Sequence, residues 1–158
     1  MATTAEIREE VEGATDLPDY DAVDVLWVAL LKVANKREGW GELERLTSLV
    51  NSLPEADLTA ILNSGPANSL LDLDPPLETI LVDHYEKLDC DGTADAIRQV
   101  HEKRSNDPRS AMMAFGGILK RIRNKRAHGF KSSKGERDVQ ILKGARGVLA
   151  SLCDVALR

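Results

Sequence analysis

Apolar residues along this chain recur at steps of three and four and almost nowhere alternate with polar ones over four to eight residues, a pattern that predicts an all-α fold. Val23, Trp27, Leu30 and Ala34 form the first clear stripe, predicting a helix that runs to about Arg37 and is broken by Gly39-Trp40-Gly41. A second helix is predicted over Glu42–Ser52. Pro54 can open a third, because a proline in the first turn lacks only an N–H that has no helical partner there; Asn63-Ser64-Gly65-Pro66 should end it. After the turn forced by Asp72-Leu73-Asp74-Pro75-Pro76, Leu77, Ile80, Leu81, His84 and Leu88 mark another helix, followed by a short one from Thr93 to about Lys103.

The last third is the most regular. Met112, Phe115, Leu119 and Ile122 step by three, four and three, so a helix capped by Asp107, with Pro108 at its first position, should run to about Ala127 and stop at Gly129. A short basic loop, Phe130 to Gly135, leads to a final helix. That helix has two apolar rows, Leu142, Ala145, Leu149, Leu152 and Ala156 beside Ile141, Val148 and Val155. So wide a face either sits deep in a bundle or is shared with another subunit. The chain of 158 residues is long enough for one domain with a real core, so the pattern predicts an acidic flexible leader over 1–16 and a single helical domain over 17–158.

Charge changes this picture. Residues 103–137 hold eleven Lys and Arg against Asp107 and Glu136, a net +9 in a chain of net −5, while residues 1–102 carry −15. A local basic block on an acidic body reads as a contact for nucleic acid or polyphosphate. Lys120, Arg121, Lys125, Arg126, Lys131 and Lys134 are the expected phosphate-binding residues. Of the two aromatic residues in this stretch, Phe115 belongs to the apolar stripe of a helix and only Phe130 lies among the bases, so recognition of RNA would rest on phosphates and shape rather than on base stacking.

Within the block stands Arg123-Asn124-Lys125-Arg126-Ala127-His128-Gly129. On a helix Asn124 and His128 lie nearly one above the other, whereas Arg123 is offset by about 100° from Asn124 and about 140° from His128. Asn124 can orient the imidazole, and Arg123 reaches the same substrate from the side, or a second copy across a dimer axis completes the site. Such groups can bind a phosphodiester and move a proton: histidine as general acid or base on a ribose 2′-hydroxyl or a 5′-leaving oxygen, arginine on the charge of a phosphorane.

Other chemistry is poorly supplied. No His, Cys or acidic residues show metal-ligand spacing with a third ligand nearby, and neither a metal nor a cofactor is expected. The segment Gly129–Gly135 lacks the order of a phosphate-binding loop. His84, between Leu81 and Leu88, reads as a core histidine and His101 as a surface one; Cys90 and Cys153 read as free thiols with no catalytic duty. No run of about eighteen apolar residues and no basic-then-apolar N-terminus occur, so no membrane span and a cytoplasmic location are expected.

Arg123-Asn124-x3-His128-Gly129 at a helix end, followed through a short basic loop by a last helix beginning Glu136-Arg137-Asp138, resembles the HEPN superfamily, whose signature is Arg-x4-6-His, often with a polar residue after the arginine. The resemblance is specific over 107–158 and only architectural before that. It implies a compact bundle of up-and-down helices and a two-fold homodimer that joins two motifs in one cleft. It also implies a metal-independent endoribonuclease, in a toxin or defence role, with an antitoxin or defence-system protein as partner. Arg123 and His128 would be the catalytic pair and Asn124 the residue that positions them, with 2′-hydroxyl attack leaving a 2′,3′-cyclic phosphate. The alternative is a non-catalytic helical module whose basic segment docks nucleic acid or an acidic protein and whose last helix dimerises.

Overall fold

The computed structural model describes residues 2–34, 39–73, 77, 89–128 and 136–158, with the backbone alone for 89–91, 125–128 and 136–137. Among the described residues the fold is all-α: α1 (Thr4–Gly13), a 3-10 turn (Ala14–Asp16), α2 (Asp19–Val33), α3 (Glu42–Ser52), α4 (Glu55–Leu62), α5 (Gly65–Leu71), α6 (Asp89–Lys103), α7 (Pro108–His128) and α8 (Glu136–Ala156).

The expected leader is a helix. Thr3 Oγ1 accepts from the Glu6 N–H at 3.2 Å and Glu6 Oε2 accepts from the Thr3 N–H at 3.0 Å, a reciprocal cap that satisfies two amides a helix start would otherwise leave unpaired. Ile7 is buried with Ala29 and Leu157, Lys32 Nζ lies 2.7 Å from Glu10 Oε1, and the Arg8 guanidinium donates to the Leu157 carbonyl. The acidic composition of 1–16 concealed one apolar anchor and a capping pair, and these decide the outcome.

α2 is the centre of the core. Ala22, Val23, Leu26, Trp27, Ala29, Leu30 and Leu31 are all buried, apolar nearly all round as a helix enclosed by others must be. It ends at Val33 rather than near Arg37, with Ala34 already extended at ψ 146°, and Arg45 of α3 donates to the Leu31 carbonyl, one of the acceptors this helix end leaves over. Gly39, where the break was expected, has φ +85°, a region that favours glycine, but the helix has already ended six residues earlier.

α3 and α7 begin where the pattern placed them. Asp107 caps α7, its Oδ1 accepting from the Ser110 N–H at 3.3 Å, and hydrogen bonds from the Ser110 side chain and backbone hold the Asp107 carboxyl below the usual range. The residues read as a stop at Asn63–Pro66 do end α4, but they also start α5: Ser64 Oγ accepts from the Ala67 N–H, and Pro66 occupies the first turn, where proline is compatible with a helix. α6 begins at Asp89, earlier than Thr93. The helix expected over Leu77–Leu88, with His84, lies outside the described residues apart from Leu77, which is buried.

The apolar rows of α8 face inward. Ile141, Leu142, Ala145, Val148, Leu149, Leu152 and Cys153 are buried, and α2 and α5 are the main packing partners of this helix. Of the two reasons for so wide an apolar face, the structure takes burial within the chain, so these rows give no argument for a dimer. Cys153 donates to the Leu26 carbonyl at 3.6 Å, and burial pushes its thiol up to about 12, which fits a thiol without chemistry. Arg146 ties α8 to the corner between α1 and α2, donating to the carbonyls of Ala14 (2.9 Å), Thr15 (3.0 Å) and Leu17 (2.8 Å) and to Asp19 Oδ1 (2.9 Å).

The approach of α5 to α8 depends on glycine. A Cβ at Gly147 would sit 2.5 Å from Pro66 Cγ and 2.6 Å from Pro66 Cβ, in a ring that cannot rotate away. Gly147→Ala should therefore destabilise by about 1–3 kcal/mol through overpacking, more than the roughly 1 kcal/mol that helix propensity returns. Denaturant unfolding measures this; a variant as stable as the parent would show that α5 shifts without cost.

Candidate functional site

α7 is helical from Pro108 without interruption through His128, so the backbone puts Asn124 and His128 one turn apart on the same face at the C-terminal end. Arg123 precedes them and is half-buried. Its Nε donates to Asp24 Oδ1 of α2 at 3.1 Å, its Nη1 donates weakly to Asn124 Oδ1 at 3.5 Å, and the same Nη1 lies 3.8 Å from Glu42 Oε1 at the start of α3. Trp27, fully buried in α2, donates its indole N–H to Glu42 Oε2. One guanidinium thus stands beside two carboxylates, both about one-third exposed. Asn124 is exposed.

The structure also sorts the basic block. Arg121 Nη1 donates to the buried Thr93 Oγ1 at 2.8 Å, and its guanidinium lies so close over Gly92 that any side chain there would collide with it. Arg104 Nη1 donates to Asn68 Oδ1 and Arg109 Nη1 to the Val50 carbonyl, both at 2.8 Å. Arg104, Arg109, Arg121 and Arg123 each donate from their guanidinium groups to the chain's own helices, Arg121 being the one of these four expected along the phosphate contact. Lys120 is half-buried, and the side chains of Lys125, Arg126 and His128, with residues Lys131 and Lys134 entire, lie outside the described residues.

Asp24 and Glu42 are the residues that sequence reasoning missed. The signal for Asp24 was present: past the first turn of α2 it is the one acid, between Val23 and Val25 in an otherwise apolar run. His101 is exposed near the end of α6, as its polar surroundings suggested. Among the described residues no three His, Cys, Asp or Glu side chains are grouped so that they could hold a metal ion, and no helix is long and apolar enough to cross a membrane.

No family model, curated protein or solved structure matches this chain. The functional reading rests on the residues at the end of α7 and on their likeness to the Arg-x4-6-His signature.

Proposed function

We propose that the chain is a metal-independent endoribonuclease of HEPN type, with Arg123, Asn124 and His128 at its centre. The observation that carries the reading is the unbroken α7: it places Asn124 and His128 on one face, directly after an arginine held from its Nε side, where the helix runs into the most basic stretch of the chain. His128 takes or returns a proton as the ribose 2′-oxygen attacks the adjacent phosphorus and the 5′-oxygen leaves. The terminal nitrogens of Arg123 meet the charge that grows on the phosphoryl oxygens. The product is a 2′,3′-cyclic phosphate. A homodimer that pairs two motifs, a toxin or defence role in the cytoplasm, and an antitoxin or defence-system partner belong to the same proposal and rest on the family likeness alone.

The second reading, a non-catalytic helical module that binds nucleic acid or an acidic protein, has one observation in its favour. Asp24 and Glu42 already stand beside Arg123, and three further arginines serve the fold. Incubation of the purified protein with a generic RNA in EDTA separates the two: cleavage to 2′,3′-cyclic phosphate ends supports the first, and binding without cleavage supports the second.

The ribonuclease reading, and the module reading where its ligand is nucleic acid, put the phosphate contact in the basic stretch beyond Arg123. Affinity for single-stranded RNA should then fall steeply with salt. Replacing Lys125, Arg126 and Lys131 with Ala should lower the slope of log K against log salt by about 2, at roughly 0.7 for each phosphate that is no longer neutralised. An unchanged slope in a binding titration would put the RNA path elsewhere.

A further inference from the structure

We infer that Asp24 is a positioning residue for Arg123, acting on the reaction through the guanidinium it holds; the inference rests on the ribonuclease reading above. The neighbours of Arg123 take different edges of its guanidinium. Asp24 Oδ1 accepts from Nε at 3.1 Å, a good charge-assisted hydrogen bond. The Nη1 contacts are poorer: 3.5 Å to Asn124 Oδ1, and 3.8 Å to Glu42 Oε1, beyond hydrogen-bond length. Glu42 is drawn the other way by the Trp27 indole N–H on its second oxygen. The inner edge of Arg123 is anchored and the outer edge is weakly engaged, the arrangement a fixed anion-binding fork requires.

Stability gives little reason for the pair. Arg123 is 28% and Asp24 37% exposed, and an ion pair this wet contributes about 0–1 kcal/mol. A fork fixed in direction is worth more to a reaction, since misplacing a catalytic group by about 1 Å can cost on the order of 10²-fold in rate. Asp24 lies on α2, whose other face is buried in the core, so the anchor sits on a packed element.

The test is steady-state RNA cleavage in EDTA by the full chain and by Asp24→Ala, Asp24→Asn and Lys32→Ala. The last breaks the Glu10–Lys32 pair, of similar exposure and remote from Arg123 in sequence, and controls for stability. Asp24→Ala should lower kcat by up to about 10²-fold with KM changed little, because the fork is misdirected rather than removed. Asp24→Asn, whose amide oxygen can still accept from Nε, should recover most of that loss. Lys32→Ala should lose a similar small amount of stability and no rate. An Asp24→Ala protein that is folded and cleaves at the parental kcat, or an Asp24→Asn protein no better than Asp24→Ala, overturns the role of Asp24 and leaves the ribonuclease reading standing. A parent chain that binds RNA but does not cut it overturns both.

Discussion

His128→Ala is expected to slow RNA cleavage by about 10²–10⁴-fold while leaving RNA affinity within a few fold of the parent, the range usual for loss of a general acid or base. The asymmetry follows from what the imidazole contributes. In a contact made by several lysines and arginines, one histidine adds little to binding, but nothing else in Arg123–Gly129 can carry a proton near neutral pH. Arg123→Ala should differ by reducing both rate and affinity, since it removes a cation proposed to meet the phosphate in the bound substrate as well as in the transition state. A substrate with a single 2′-deoxy nucleotide at the scissile position should bind and resist cutting, since the attacking oxygen is gone. Full activity in His128→Ala, cutting of the deoxy substrate, or dependence on magnesium would each exclude the mechanism and favour the binding-module reading.

Trp27→Ala should cost about 3–5 kcal/mol, the range for removing a large aromatic from a packed core, against a total of about 5–15 kcal/mol for a domain of ordinary stability. Trp27 is fully buried among the core side chains, and its indole N–H is donated to Glu42. The substitution thus opens a cavity in α2 and releases a carboxylate next to Arg123. Trp27→Phe separates the effects by restoring most of the apolar volume without the N–H, and should lose about 1–3 kcal/mol. Urea unfolding followed by circular dichroism reads both variants. A Trp27→Ala protein within about 1 kcal/mol of the parent would mean that the centre of α2 collapses around the gap, contrary to native packing density.

Much of the helical framework was legible because helix formation is decided by neighbours three and four positions apart. The range Glu42–Ser52, the start of α7 at Pro108 after its Asp107 cap and the two rows of α8 could be read directly from such spacings. The failures have a common origin. Thr3–Glu6 and Ser64–Ala67 are short capping signals whose value depends on a core to dock against, and Ile7 finds one in Ala29 and Leu157, which lie far along the chain. Proline at 66 was compatible with either a stop or a start, and packing of α5 on Gly144 and Gly147 selected the start.

For the site, the sequence by itself determined the order Arg123, Asn124, His128, their spacing on one helix and the excess of positive charge around them, because these are matters of composition and of helical period. Only the tertiary structure decided what the charges face. Arg121 meets Thr93 at a separation of 28 residues, Arg104 meets Asn68 at 36, Arg109 meets Val50 at 59 and Arg123 meets Asp24 at 99. Whether a guanidinium looks to solvent or to a carboxylate or carbonyl is set by which helices pack together, and the local pattern of the segment that carries the arginine holds no trace of that choice.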